Sequence, residues 1–227
     1  MLRHFFKIDP AKELSEKAVH RLLTSGTDGF IVGGTDGLTA ENVSFTYDLF
    51  SESELPVYLE VSSEAAILPY ADRFLIPSVL NTQETEWLIG RHHQVAMEYG
   101  KYIPWNKTST QGYIILNEEA KAARLAKADT ALSIDAIQAY ARLAEHVFHL
   151  PIVYLEYSGR YGNPAVVQAV REVLGGTTEL WYGGGIQTLE QAVEMGHHAD
   201  VIVVGNSLYE DFESAIETTQ ARCFLPC

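Results

Sequence analysis

Basic residues are scarce in this chain. Its 227 residues include 16 Lys or Arg against 30 Asp or Glu, a formal net charge of −14. Neutralising nucleic-acid phosphates takes a basic footprint, and no Lys/Arg cluster supplies one, so nucleic acid is excluded as a partner. Strong electrostatic docking to anionic lipid is excluded on the same ground. Cysteine is nearly absent, with only Cys223 and Cys227, both in the tail. No internal disulfide framework can form, which fits a reducing compartment. The ending CFLPC is no prenylation box, because Phe224 stands at the fourth position from the end. Long apolar runs are missing too. Nothing approaches the roughly 18 apolar residues of a membrane-crossing helix, and MLRHFFKIDPAKEL holds no apolar signal core. The expectation is a cytoplasmic protein, a single domain over residues 1–227, without a transmembrane segment.

Familiar catalytic signatures are also lacking. EYSGRYG misses the first glycine of a nucleophile elbow. HExxH is absent, and the pairs His92-His93 and His197-His198 are adjacent rather than at metal-ligand spacing. No GxGxxG with a downstream acid follows the first apolar run, which disfavours a nicotinamide fold.

What the chain does have is a repeated alternation. Short apolar, β-branched or aromatic runs recur near 4–9, 29–34, 56–62, 73–78, 112–116, 151–157, 179–184 and 200–206. Several are continuously hydrophobic, as strands buried on both faces are. Between most of them lie amphipathic stretches such as KELSEKAVHRLLTSG, TQETEWLIGRHHQVAMEYG and SIDAIQAYARLAEHVFHL. Helix starts are marked by Thr39, by Ser133 and by Asn163 before Pro164. Eight βα units in this length point to a (β/α)₈ barrel, with a doubly wound open sheet as the alternative. One unit is irregular: SEAAILPYAD, between Ser62 and Arg73, is too short and Pro-broken for a normal helix. Residues 100–111 show no period and read as a loop.

Polar residues at the C-terminal ends of barrel strands are where an active site belongs. YGGGI puts Gly183, Gly184 and Gly185 between a strand and a helix start. Such a run serves either a tight turn or the close approach of an anion to backbone N–H groups. Gly205 and Asn206 follow the last strand, and the loops after strands 7 and 8 commonly hold a phosphate in barrels. Lys7 and Asp9, two apart, face the same side of strand 1. They could be an ion pair, or could hold an anion and a divalent metal. Thr35-Asp36-Gly37 fits either a turn or a site. Strand 3 ends in Glu60 and Ser62. Glu156 lies between Leu155 and Tyr157 and faces away from both. A carboxylate inside a barrel is costly unless paired, which makes Glu156 a candidate general base or hydroxyl ligand. Strands 2 to 8 contain no lysine, which argues against a Schiff-base aldolase. A phosphosugar isomerase and a non-catalytic phosphate scaffold remain as alternatives.

Six motifs, FFKIDP, SGTDGFIVGGTDGLTAENV, FLIPSVLNT, LPIVYLEYSG, YGGGI and ADVIVVGNSLYEDF, run in order along nearly the whole chain. Together they resemble the PcrB-type heptaprenylglyceryl phosphate synthases, bacterial relatives of the archaeal geranylgeranylglyceryl phosphate synthases. The resemblance implies a modified (β/α)₈ TIM barrel with the third helix replaced by irregular chain. It implies Mg²⁺-dependent transfer of a polyprenyl group from its diphosphate to the C3 hydroxyl of sn-glycerol 1-phosphate. The donor is heptaprenyl diphosphate, or a shorter geranylgeranyl donor. Carried over, Lys7 contacts glycerol phosphate, and Asp9 and Thr35 form the metal site. Tyr154, Leu155, Glu156, Tyr157, Ser158 and Gly159 bind glycerol phosphate, with Glu156 near its hydroxyls. Gly183, Gly184, Gly185, Gly205 and Asn206 cradle its phosphate. The resemblance also implies a homodimer and transient contact with a membrane to collect or release lipid. Ile67, Leu68, Pro69 and Tyr70, with Val95, Ala96 and Tyr99, are candidates for the prenyl groove. The tail QARCFLPC departs from the family's pattern.

Overall fold

The computed structural model describes residues 1–225, so Cys227 lies outside the described residues. Eight parallel strands close into a barrel in chain order: β1 (Arg3–Ile8), β2 (Gly29–Val32), β3 (Val57–Glu60), β4 (Arg73–Val79), β5 (Thr108–Ile115), β6 (Ile152–Glu156), β7 (Glu179–Gly183) and β8 (Val201–Val204). Closure comes from β1 against β8, with Phe5 beside Val203 and Phe6 beside Val204. The open-sheet alternative is thereby removed.

Each strand puts alternate side chains inside and outside the barrel. Inside, Phe5 stacks on Trp181 at 5.6 Å, and Tyr113 lies flat on Tyr154 at 4.4 Å. Outside, Phe6, Ile8, Phe30, Val32, Leu155 and Tyr182 are buried under the helices. Burial on both faces is why FIV and VIVV are unbroken apolar runs.

The helices begin where the sequence marks them. Ser15 caps α1 (Glu16–Leu23), and Thr39 forms a reciprocal capping box with Asn42 at the start of α2 (Ala40–Ser51). After β4 comes a five-residue π-helix, Glu86–Gly90, running into α3 (Arg91–Tyr99). Then follow α4 (Lys121–Ala126), α5 (Ile134–His146) capped by Ser133, and α6 (Pro164–Val173) capped by Asn163. Thr188 caps α7 (Leu189–Gly196); α8 (Ser207–Glu210) and α9 (Phe212–Glu217) follow β8. Between β3 and β4 there is one turn of 3₁₀ helix, Glu64–Ala66, in place of a helix.

One expectation is corrected. Residues 100–111 are not all loop, because β5 starts at Thr108. TSTQ pairs with Phe74–Pro77 of β4, so the partner strand supplies the order that polar composition conceals. The tail is docked as far as it is described. Thr218–Phe224 forms a 3₁₀ segment with Thr218, Thr219 and Ala221 buried, and Cys223 is an exposed free thiol.

Candidate active site

A cavity opens at the C-terminal mouth of the barrel, and most of the expected site residues line it. Lys7 and Asp9 come from the end of β1, and Thr35 from the turn after β2. Tyr154, Glu156, Ser158 and Gly159 come from β6 and its loop. Gly183, Gly184, Gly185, Gly205 and Asn206 come from the ends of β7 and β8, which adjoin β6 and β1.

Leu155 and Tyr157 do not line it. Strand alternation turns both outward, into the apolar layer between barrel and helices. Tyr157 serves through its main chain, whose N–H donates to Gly183 O at 2.7 Å. The groove candidates also divide. Leu68 is buried in the outer core, whereas Pro69 and Tyr70 are exposed and Val95 and Ala96 half-buried. Tyr99 lies close enough to Glu64 to feel its charge.

The three glycines have a steric cause within the protein. A Cβ on Gly183 would sit 2.0 Å from Tyr154 Oη. Gly185 has φ +56, and its Cβ would meet Tyr161 N at 2.2 Å. The β6 and β7 loops are therefore pressed backbone to backbone. Their N–H groups are left over. Among the described residues, the N–H groups of Gly184, Gly185, Ile186, Gly205 and Asn206 donate to no protein acceptor. The Ser207 hydroxyl beside them is buried and equally unpartnered. Buried polar groups are rarely left so, and a patch of idle donors is a receptor for an anion.

Beside these donors lies a charged cluster. Lys7 Nζ donates to Glu60 Oε1 at 2.6 Å, and Tyr113 Oη donates to Glu60 Oε2 at 2.6 Å. Glu60 is 5% exposed. Burial alone would discharge Lys7, but Glu60, Glu156 and Asp9 outweigh it and raise its pKa. Burial pushes Glu156 up to about 7, with Glu60 adding to the rise and Lys7 and the Ser158 N–H opposing it. That N–H donates to Glu156 Oε1 at 2.5 Å. Burial also holds the Tyr113 and Tyr154 phenols well above the usual range, so both stay protonated. The site thus holds a cation, a carboxylate poised near neutrality and two fixed phenols beside an anion receptor.

Sequence reasoning left Glu60, Tyr113 and Tyr209 without roles. Glu60 shares a strand face with Tyr58, which packs on Phe5 inside the barrel, so its inward direction was readable. Tyr113 sits inside an apolar run and gives no such signal. Tyr209 lines the mouth, accepts the Asp9 N–H at 3.0 Å and lies under Lys12.

A family model described as the PcrB family matches residues 1–222. A protein named heptaprenylglyceryl phosphate synthase from Listeria welshimeri is 54% identical over 218 residues, 96% of each chain. Its namesake from Geobacillus kaustophilus is 50% identical over 219 residues, 96% of this chain and 91% of its own. Among solved structures, the (S)-3-O-geranylgeranylglyceryl phosphate synthase of Thermoplasma acidophilum, in complex with sn-glycerol-1-phosphate, superposes with a TM-score of 0.84. At 23% identity over 96% of this chain and 92% of that one, it shares the fold.

Proposed function

The chain belongs to the PcrB family, and on that footing we propose that it moves a heptaprenyl group from heptaprenyl diphosphate to the C3 hydroxyl of sn-glycerol 1-phosphate. The observation that carries this reading is the patch of idle donors at Gly184–Ile186, Gly205, Asn206 and Ser207. It shares its cavity with one cation and one carboxylate of raised pKa. The donors would hold the phosphate, with Lys7 as its counter-charge. This leaves the glycerol hydroxyls toward Glu156. Ser158 and Gly159, beside it on the mouth, supply a hydroxyl and a glycine backbone.

The reaction joins the hydroxyl oxygen to the allylic C1 of the donor. The C1–O bond to diphosphate breaks, and diphosphate leaves with the electron pair. The hydroxyl proton passes to Glu156 Oε, whose affinity for it is raised by burial. Tyr113 and Tyr154 remain protonated throughout and hold the floor of the site.

Magnesium fits this mouth as an ion held mainly by substrate. Asp9 and Thr35 offer one carboxylate and one hydroxyl, and among the described residues no group of three His, Cys, Asp or Glu forms a cage. Mg²⁺ is commonly bound by one or two carboxylates plus substrate phosphates. When bound it would supply neutralising charge for the departing diphosphate. The reading also carries a homodimer, and transient membrane contact to collect or release lipid. No helix among the described residues is long and apolar enough to cross a membrane.

The names of the relatives support the heptaprenyl length. The test is transfer of labelled sn-glycerol 1-phosphate into butanol in the presence of Mg²⁺, with polyprenyl diphosphates of increasing length. Extractable label that is greatest with the heptaprenyl donor is expected. Greatest label with geranylgeranyl diphosphate would correct the donor. No label with any donor would overturn the reading.

A further inference from the structure

Lys7 stands between two carboxylates that need opposite treatment. Glu60 is bonded to it at 2.6 Å; Glu156, across the mouth, feels its charge without a direct bond. An ammonium group pairs with whichever carboxylate reaches it best. Paired with Glu156, it would hold that carboxylate ionised and quench it as a base. The structure shows what prevents this. Glu60 projects inward from β3, and Tyr113 on β5 ties down its second oxygen. The Glu60 side chain is only 6% accessible, against 23% for Lys7. The phenol is itself fixed by stacking on Tyr154, with the ring planes 2° apart. Three strands and a stacked pair therefore set where one ammonium group rests.

We infer that Glu60, locked by Tyr113, is a positioning residue for the reaction: it holds the Lys7 ammonium on the β3 side of the mouth and so keeps it from neutralising Glu156. This rests on the prenyl-transfer reading for its consequence, but not for its geometry. The groups surrounding Glu156 are Lys7 and Asp9 from β1, Glu60 from β3, Tyr113 from β5, Tyr154 on its own strand and Tyr182 from β7. Tyr209 and Glu210 complete the mouth beyond β8. Of these, only Lys7 is cationic, so its placement has the largest leverage on Glu156.

Carboxyl ¹³C NMR of the full chain labelled at glutamate, without substrates, tests this directly. The resonance missing from Glu156→Gln should titrate near the value of about 7 given by its surroundings. In Glu60→Gln, with a like charge removed and Lys7 released, it should move down by about one pH unit. In Lys7→Met it should move up. The acid limb of the kcat/KM profile should follow both shifts. Opposite displacements cannot come from general loss of structure. An unmoved resonance in Glu60→Gln, or lost turnover with an unmoved acid limb, overturns the inference. Should Glu60→Gln fail to fold, Tyr113→Phe decides, because it unlocks Glu60 without removing a charge: a downward move supports the placement, and no move overturns it. If both shifts occur while the wild type transfers no prenyl group, the placement stands and the functional reading falls.

Discussion

At the scale of single residues, Glu156 trades stability for a usable proton affinity. Below the ordinary carboxyl value of 4.5 it is protonated in both folded and unfolded chains. As pH rises, the unfolded chain releases the proton first, so the stability from this group is lost as pH passes through about 7. A shift of this size corresponds to about 3 kcal/mol. Glu156→Gln should therefore melt higher than wild type at pH 8 and equally at pH 4. Its kcat should fall by roughly 10²–10⁴, the usual contribution of a general base. Calorimetry at the two pH values and the transfer assay check both halves. Near-normal turnover would remove Glu156 from the mechanism. Gly185 makes the complementary case for backbone. Its left-handed φ and the 2.2 Å approach of a would-be Cβ to Tyr161 N leave an alanine nowhere to go. Gly185→Ala should destabilise by about 1–3 kcal/mol. It should also raise KM for glycerol phosphate, because the displaced N–H groups are the proposed phosphate receptor. An unchanged melting temperature and KM would show that the loop relaxes freely.

At the scale of elements, the glycine turn depends on a helix that does not touch the substrate. Glu145, on α5, accepts hydrogen bonds from Gly175 N at 2.7 Å, Thr177 Oγ1 at 2.8 Å, Thr177 N at 3.2 Å and Thr178 N at 3.3 Å. It thereby fixes the connection that delivers β7. Burial alone would raise its pKa, but these donors outweigh burial and lower it. Its contribution is thus present above the ordinary carboxyl value and lost as pH falls through the folded one. Glu145→Ala would orphan three backbone N–H groups at about 1–3 kcal/mol each. A loss of roughly 3 kcal/mol or more in urea unfolding is expected; a loss under about 1 kcal/mol would mean that water replaces the carboxylate.

The elements also show what a sequence can and cannot reveal. Strands buried on both faces write themselves as apolar runs, and caps such as Thr39 and Asn163 depend only on local chemistry. Lys7, Asp9 and Glu156 stand out because polar groups at barrel strand ends are anomalous. Three things stayed hidden. The start of β5 is polar and ordered by its partner β4. TQETEWLIGRHHQVAMEYG reads as amphipathic, yet no residue of α3 is buried. The Lys7–Glu60–Tyr113 chain crosses β1, β3 and β5, whose residues meet only when the barrel closes.

At the scale of the whole molecule, the end of the barrel opposite the site carries an acid-sensitive fastening. His4, at the start of β1, bonds Thr27 Oγ1 through Nδ1 at 3.0 Å and Thr218 Oγ1 through Nε2 at 2.9 Å. Its backbone N–H donates to Asp28, which also accepts Arg222 Nη1 at 2.9 Å. One imidazole therefore ties the first strand, the entry to β2 and the C-terminal segment. Burial lowers its pKa to about 3, its own backbone hydrogen bond opposing and the Arg222 charge adding to the fall. The unfolded chain takes up the proton near 6.5, so this group's stabilisation is present above 6.5 and is lost as pH falls toward 3. Between pH 7.5 and 5 that amounts to about 2 kcal/mol. Glu156 acts in the opposite direction over much of the same interval, so the wild-type curve alone would show only their difference. His4→Phe isolates the imidazole. On going from pH 7.5 to 5, its unfolding free energy in urea should move upward by about 2 kcal/mol relative to wild type. Parallel pH dependence in the two proteins would place the acid sensitivity elsewhere, and the docked C-terminal segment would then owe its hold to Arg222 and the buried Thr219 and Ala221 instead.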